Sequence, residues 1–306
     1  MKIILLANHV YAIPTINFLA SRQLLQAVVM PEIVQVYNQQ VELAINANNI
    51  PYKRFAKNEL KTLFKQWLTE QAPDMVIGYT FSYKIPEELF KIPLYGFFNV
   101  HYSLLPAYRG PFPVFWQIKN GDANGGITIH QMDSNFDTGE VLLQQIIPVL
   151  PGETQGLYST KLSTISVNLI FDFINKIFSG QLSKIKPGLN QSYYPKPDLK
   201  DFTIDWNKQG ANEIANIVNA CNAEIGGAVT MLMGQMVRVL EVSEALVNGD
   251  NKSLPGTIVY SNTTDGVFVA CKNNEYLKIN IVQIPEGIFS GNKLASIGVQ
   301  AGNIFN

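Results

Sequence analysis

Cysteine, histidine and charge are all scarce in this sequence of 306 residues. Its two cysteines, Cys221 and Cys271, lie far apart and outside any C-x-x-C spacing, which argues against a zinc cluster and favours buried thiols in a reducing compartment. The three histidines, at positions 9, 101 and 130, form no ligand spacing, so no metal is expected. Lys and Arg number 23 against 24 Asp and Glu, so no global field attracts a polyanion.

Long apolar runs are missing as well. The run after Lys2 covers only about six residues, too few for a membrane span or a signal peptide, so we expect a cytoplasmic protein without a membrane partner. No G-x-G-x-x-G follows the first predicted strand, and nicotinamide dinucleotide binding is therefore not expected.

What the first part of the chain does contain is an alternation of aliphatic segments with stretches of helical periodicity. This alternation predicts an α/β fold, a Rossmann-like open parallel sheet covered by helices. The predicted strands are 3–7, 27–30, 75–79, 97–100 and 128–132. The predicted helices are 15–25, 34–48, 58–70 and 160–177.

The pattern changes after a proline-containing stretch at 189–204, which we interpret as a linker between domains 1–188 and 205–306. In the second domain, a helix at 211–220 precedes short alternating strands, so we expect a small OB-like β-barrel. The predicted strands are 229–233, 235–242, 256–259, 267–271 and 277–282, with turns at Met233-Gly234, Asn248-Gly249 and Asp265-Gly266.

Three polar residues form the candidate catalytic centre. Asn99 and His101 stand at positions i and i+2 at the end of a predicted strand, so their side chains share one face. An amide that stabilises an oxyanion beside an imidazole that moves a proton suits acyl transfer. Asp137 follows strand 128–132, and two parallel strands ending at one edge would bring it to His101, where it would orient the ring.

The surrounding sequence extends this pattern over about forty residues. N-x-H-x-S-L-L-P-x-x-R-G begins at Asn99 and is followed by W, N-G-D, G-I-T-I-H and D-T-G. In this order the elements closely resemble the folate-dependent formyltransferase family. The resemblance implies that Asn99, His101 and Asp137 are the catalytic residues of an enzyme that uses 10-formyltetrahydrofolate as formyl donor.

Other segments resemble the same family. IILLANHVYAIPTINFL resembles its first strand and helix, and PDMVIGYTFSYKIPEEL resembles the strand and loop that line the folate pocket. IDW, ACNAEIGGA, PGTIV and IVQI resemble the barrel appended to methionyl-tRNA formyltransferases and some sugar formyltransferases. The resemblance implies that the pterin ring is held by two loops, through backbone groups of Tyr83, Lys84, Ile85, Met132, Asp133, Ser134, Asn135, Phe136 and Asp137.

Four further residues are candidates for roles near the catalytic centre. His9 follows the first strand, at the turn that relatives use near the acceptor, and is a candidate contact to the amine. Arg109 either binds an anionic part of the acceptor or is simply solvated. Ser103 is a third acceptor candidate, although a bond to nearby backbone is the simpler interpretation. His130 is expected to be a half-buried structural histidine.

The distribution of charged residues along the chain predicts the class of molecule that accepts the formyl group. No Lys or Arg lies between Arg22 and Lys53, where tRNA formyltransferases usually carry a basic loop, and residues 201–306 hold six Lys or Arg against ten Asp or Glu. We therefore expect a small amine, such as a nucleotide-linked amino sugar or other amine metabolite, with methionyl-tRNA as the alternative and nucleic acid otherwise not expected.

Two other functional classes remain as alternatives to a formyltransferase. A formyltetrahydrofolate hydrolase would use water as acceptor, but the resemblance implies an extra N-terminal regulatory domain for it, which is not expected where the first strand starts the chain. A non-catalytic folate-binding module is expected to lack Asn99, His101 or Asp137, and all three are present.

Overall fold

The computed structural model describes residues 1–33, 37–183, 191–222, 224–247 and 253–306. The chain divides into two compact units. The first comprises Met1–Pro113, Asn124–Pro148 and Ser159–Tyr194; the second comprises Val114–Ala123, Val149–Tyr158 and Pro195–Asn306. Across the described ranges, none of the helices has both the length and the apolar stretch that crossing a bilayer requires.

A seven-stranded sheet forms the centre of the first unit. Its strands are β1 (Ile3–Ala7), β2 (Leu25–Pro31), β3 (Tyr52–Phe55), β4 (Met75–Tyr79), β5 (Phe97–His101), β6 (Asn124–Gln131) and β7 (Val141–Pro148), in the spatial order β3-β2-β1-β4-β5-β6-β7. Every residue of β1 and β4 is buried, as expected for central strands covered on both faces. The predicted α/β sheet is thereby confirmed.

The direction of β6 differs from the prediction. β1 to β5 are parallel, but β6 runs antiparallel to β5, and β7 runs antiparallel to β6. The parallel strand was predicted from the alternation of strands with helical stretches, and that pattern does not specify the direction of an individual strand.

Helices follow the predicted periodicity but differ at their ends. They are α1 (Ile13–Ser21), α2 (Asn38–Ala47), α3 (Leu63–Gln71), α4 (Pro113–Lys119) and α5 (Gln155–Phe178). α1 is shorter than the predicted 15–25 because Gln23 has a φ of 57° and Leu25 already belongs to β2. The predicted helix 58–70 is interrupted at Thr62, whose φ of −121° and ψ of −92° are not helical. Residues 34–36, the predicted start of α2, lie outside the described residues.

Strands β3 and β7 were not predicted, because both are sheet edges with mixed composition. β3 reads YKRF, and three consecutive residues of β7, Gln144 to Ile146, are exposed. An edge strand needs less apolar surface than a central one, so its pattern is weak.

The second unit contains an antiparallel sheet, as predicted. Its strands are β8 (Ala228–Leu232), β9 (Gln235–Ala245), β10 (Ile258–Asn262), β11 (Gly266–Ala270), β12 (Tyr276–Ile284) and β13 (Gly287–Ser290), in the order β10-β11-β12-β9-β8 with β13 on β12. The chain end connects the two outer strands: Phe305 bridges Leu232, and Ile304 bridges Thr257. These bridges close the sheet into a small barrel.

Two helices accompany the barrel, α6 (Ala211–Cys221) and the unpredicted α7 (Gly291–Ser296). Inside, Trp206 packs against Phe305 at 5.5 Å and donates a hydrogen bond to the Thr230 hydroxyl. The tight turn at Met233-Gly234 has positive φ at both residues, as a two-residue hairpin requires. The predicted turn at Asn248-Gly249 lies outside the described residues.

Candidate active site

The end of β5 carries Asn99 and His101 on one face of the sheet, while Phe98, which precedes Asn99 and lies on the other face, packs against Phe173. Asn99 is paired with His130 of β6 on one side and with Gly78 of β4 on the other. A Cβ at position 78 would lie 3.0 Å from Asn99 Oδ1, so glycine there leaves room for the amide.

The Asn99 amide is directed at two partners. Its Nδ2 lies 3.2 Å from His130 Nε2 and 3.5 Å from Asp137 Oδ1. His130 Nδ1 donates to the Gln131 carbonyl at 2.9 Å, and its Nε2 faces both Asn99 Nδ2 and, at 3.5 Å, Asp137 Oδ1. The Asn99 contact with His130 has the length of a regular hydrogen bond, and the contact with Asp137 is a long one.

His101 is fixed through both ring nitrogens. Nε2 donates to the Tyr108 carbonyl at 2.9 Å, and Nδ1 lies 3.6 Å from Asp137 Oδ1. Both nitrogens therefore face acceptors, and both contacts are favourable only when each nitrogen carries a proton. The ring is 6 % exposed.

Asp137 is the point at which these groups meet. Its Oδ1 lies within 3.6 Å of nitrogen atoms of Asn99, His101 and His130, and its Oδ2 accepts a hydrogen bond from the Gly110 N–H at 3.0 Å. Burial alone would raise the pKa of this carboxyl, but the two imidazoles and the Gly110 N–H hold the pKa well below its usual range. Asp137 is therefore a carboxylate.

Asp137 reaches His101 by a route other than the predicted one. Because β6 is antiparallel, its carboxyl end lies beside Phe98 and not beside His101. Gln131 N–H donates to the Glu140 carbonyl, so residues 132–139 form a closed loop that carries Asp137 back to the imidazole. Asp137 has a φ of 55°, a left-handed conformation within this loop.

The two loops predicted to hold a pterin ring contact each other through Lys84 and Phe136. Lys84 Nζ lies 5.7 Å from the centre of the Phe136 ring, and that ring is 55 % exposed. Asp133 Oδ1 orders the second loop by accepting from Asn135 N–H and the Thr138 hydroxyl.

The remaining residues of these two loops differ in exposure. Tyr83 and Ile85 are buried in the core, with Met132 packed against it, whereas Ser134 is exposed. Only backbone groups of Tyr83 and Ile85 therefore remain for ligand contact.

The three acceptor candidates lie in different surroundings. His9 lies after β1, which is separated from β5 by β4, and its ring packs between Tyr11 and Tyr37. Burial lowers the pKa of His9 to about 4, so this ring is neutral at pH 7. The fully buried Ser103 hydroxyl donates to the Ala107 carbonyl.

Arg109 lies beside Asp137 in a small cavity that Thr138 and Gln191 also line. Its Nε is buried and has no hydrogen-bond partner within the described part of the chain. A buried guanidinium nitrogen without a partner is costly unless a ligand or water supplies an acceptor.

Comparison with known proteins identifies the family. A model described as formyl transferase matches residues 19–174, and one described as formyl transferase, C-terminal domain, matches residues 198–290. The methionyl-tRNA formyltransferase of Acetivibrio thermocellus is 30% identical over 282 residues, 89% of this chain and 88% of the relative. The chain belongs to the formyl transferase family.

Solved structures agree with this member of the formyl transferase family in fold. HypX from Aquifex aeolicus in complex with tetrahydrofolic acid superimposes with a TM-score of 0.67 at 16% identity, over 98% of this chain and 48% of that one. The chain thus spans about half the length of HypX. The N-formyltransferase from Helicobacter canadensis, in complex with folinic acid and dTDP-3-aminofucose, gives a TM-score of 0.66 at 17% identity over 91% of this chain and 98% of that one.

The contacts of the Tyr108 carbonyl and the Gly110 N–H in the site of this formyl transferase family member were not predicted from the sequence. Tyr108 and Gly110 act through backbone groups, for which a side-chain pattern gives no signal. His130 was expected to be structural; it is buried, and it contacts both Asn99 and Asp137. The contacts of His130 could not be predicted because they depend on the antiparallel direction of β6, which places His130 opposite Asn99.

Proposed function

We propose that this chain transfers the formyl group of 10-formyltetrahydrofolate to the primary amine of a small acceptor, with Asn99, His101 and Asp137 as catalytic residues. The observation that carries this proposal is that the Asn99 amide nitrogen and His101 Nδ1 both lie within 3.6 Å of the same carboxylate oxygen, Asp137 Oδ1. This arrangement provides an oxyanion donor, a proton carrier and a group that orients the carrier.

The reaction follows from these positions. The amine nitrogen bonds to the formyl carbon, whose oxygen becomes an oxyanion. Asn99 N–H and protonated His101 stabilise that charge; the Asn99 contact with Asp137, at 3.5 Å, is long enough to be exchanged for the oxyanion. The bond between the formyl carbon and N10 then breaks, and the proton lost by the amine passes to N10. Asp137 holds His101 throughout.

The donor site is proposed at the two loops around Lys84 and Phe136. The exposed Phe136 ring supplies a stacking surface for a pterin, and the loop 132–137 supplies backbone polar groups, with those of Tyr83, Lys84 and Ile85 opposite. Residues 1–188 would then be the catalytic domain and 205–306 the appended barrel, a division that the two family matches support.

A small acceptor is favoured by charge. Between Arg22 and Lys53 there is no cation to contact phosphates, and residues 201–306 carry a net charge of −4. His9 and Arg109 are the proposed acceptor contacts: the first is neutral and lies among aromatic rings, and the second offers its buried Nε to an anionic group. Ser103 supports the loop that carries Arg109. The two buried, unpaired thiols are consistent with a cytoplasmic enzyme.

Methionyl-tRNA is the second candidate acceptor, because the curated relatives named methionyl-tRNA formyltransferase align with most of this chain. An acceptor screen separates the candidates. The protein is mixed with 10-formyltetrahydrofolate and either no acceptor, amino sugars linked to nucleotides, or methionyl-tRNA, and tetrahydrofolate release is followed. We expect release with a small amine. Release without any amine identifies a hydrolase, and no release in any mixture identifies a binding module; either result contradicts the proposal.

A further inference from the structure

The loop 106–110 presents two backbone groups to the candidate catalytic residues. The Tyr108 carbonyl accepts from His101 Nε2, and the Gly110 N–H donates to Asp137 Oδ2. Both residues have left-handed backbone conformations, with φ of 58° at Tyr108 and 117° at Gly110. A tyrosine does not favour that region, so the loop needs external support to keep both groups in place.

Residues 192–194 supply this support by lying along the loop. The Ser192 hydroxyl accepts from Tyr108 N–H at 2.9 Å, and the Ser192 backbone bonds to Pro106 and Arg109 at 3.2 and 3.0 Å. Tyr194 N–H donates to the Arg109 carbonyl at 2.8 Å. These are hydrogen bonds to three residues of a five-residue loop.

Tyr194 adds two steric contacts. Its ring stacks on that of Tyr108, with centroids 5.0 Å apart and planes 15° apart. Its carbonyl oxygen lies 2.1 Å from the position a Cβ would take at Gly110, so only glycine permits the strand-like approach of 194 to the loop.

We propose that residues 192–194, named here the clamp, form a positioning element for the catalytic centre, in which Ser192 is the positioning residue. The inference rests on the proposed function. Ser192 holds both peptide planes that flank Tyr108. Its hydroxyl accepts from Tyr108 N–H, and its carbonyl accepts from Arg109 N–H, which shares a peptide plane with the Tyr108 carbonyl that fixes the His101 ring. Removing the hydroxyl takes this acceptor from Tyr108 N–H and loosens the residue whose carbonyl aims the imidazole.

The test compares Ser192→Ala with Ser192→Thr, which keeps the hydroxyl. Ser179→Ala is the matched control, since the Ser179 hydroxyl also bonds to backbone but at an exposed helix end. For Ser192→Ala we expect kcat to fall between about tenfold and a hundredfold, the effect of a small misplacement of a catalytic group, while the KM for 10-formyltetrahydrofolate stays within about twofold. Ser192→Thr and Ser179→Ala should both keep the wild-type kcat.

A second readout needs no activity. The chain holds only three histidines, so the ring ¹⁵N and Hε1 signals of His9, His101 and His130 can be assigned by single substitutions. Ser192→Ala should move the Nε2 signal of His101 and leave that of His9 in place. If it leaves His101 unmoved, the proposal is overturned, even in an active enzyme. If His101 moves but the wild type transfers no formyl group, the proposed function fails and the positioning role stands.

A second variant covers the case in which Ser192→Ala does not fold. Tyr194→Leu keeps every backbone bond of the clamp and removes only the ring that stacks on Tyr108. It should shift the same His101 signal and lower kcat. Tyr194→Phe keeps a ring that can stack on Tyr108, so it should have the wild-type His101 signal and the wild-type kcat. A Tyr194→Leu protein with the wild-type His101 signal and wild-type kcat contradicts the proposal.

Discussion

The Asp137 carboxylate owes its low pKa to its contacts with two neighbouring imidazoles and the Gly110 N–H, and this links acid stability to the candidate site. A carboxyl whose pKa is lower in the folded than in the unfolded state stabilises the fold above the unfolded value of about 3.8, and that contribution is lost as the pH falls further. Asp137→Asn should therefore be less stable than the wild type at pH 7, with a difference that shrinks below about pH 4.

Urea unfolding of both proteins at pH 7, 4 and 3 measures this difference. Activity should fall at the same time, by at least about a hundredfold, because an asparagine lacks the negative charge that orients the His101 ring. A stability difference that is equal at all three pH values would contradict the assigned carboxylate.

His9 gives a linkage of the same sign at higher pH, with burial as its cause. Burial lowers its pKa to about 4 in the folded state, from an ordinary value of 6.5. Between these values the unfolded chain binds a proton that the folded chain does not, so stability falls as the pH drops from 6.5 to 4, by at most about 3 kcal/mol. His9→Gln should abolish this part of the loss. Unfolding free energies at pH 7 and 4.5 for both proteins are the check, and an equal loss in both would refute it.

The site residues could be predicted from the sequence to different degrees. Asn99, His101 and Asp137 stand in a motif of unusual length, so they could be picked out before any coordinates. Tyr108 and Gly110 could not, because they contribute a carbonyl and an N–H, which every residue has. Their importance comes from two left-handed backbone conformations, and only Gly110 hints at one in the sequence.

Among the elements, central strands were the most predictable. β1 and β4 were predicted to the residue because burial on both faces demands continuous apolar runs. β6 was predicted in place but not in direction, since strand composition does not encode which way a strand runs. The edge strands β3 and β7 were missed because they need little apolar surface.

The loop 132–139 is the element on which donor binding is predicted to depend. Phe136→Ala removes an exposed ring beside Lys84 and should raise the KM for 10-formyltetrahydrofolate about three- to tenfold, the effect of losing one stacking contact. kcat should change little, because Phe136 does not touch the reacting carbon in the proposed arrangement.

Phe178→Ala is the matched control, since that ring is 74 % exposed at the end of α5. Steady-state kinetics of the three proteins give the comparison. If Phe136→Ala and Phe178→Ala raise the KM equally or not at all, the donor does not stack at this loop.

On the scale of the whole molecule, charge distinguishes the acceptors. A protein that neutralises several phosphates loses orders of magnitude in affinity between 50 and 200 mM salt. The small acceptor proposed for this chain, with its 23 Lys and Arg against 24 Asp and Glu, requires few phosphate contacts, so the KM for the acceptor should rise less than about tenfold over that range. A rise of a hundredfold or more, with methionyl-tRNA as the best acceptor, would instead favour the activity named in its curated relatives.

The most direct test of the account replaces the amide at the end of β5. Asn99→Ala should fold like the wild type and release tetrahydrofolate about a hundred to a thousand times more slowly in the presence of an accepted amine, the cost of one oxyanion donor. Asn58→Ala, at an exposed position, should keep the wild-type rate. A folded Asn99→Ala protein whose turnover stays within twofold of the wild type would contradict the central claim that this amide stabilises the oxyanion formed from the formyl group.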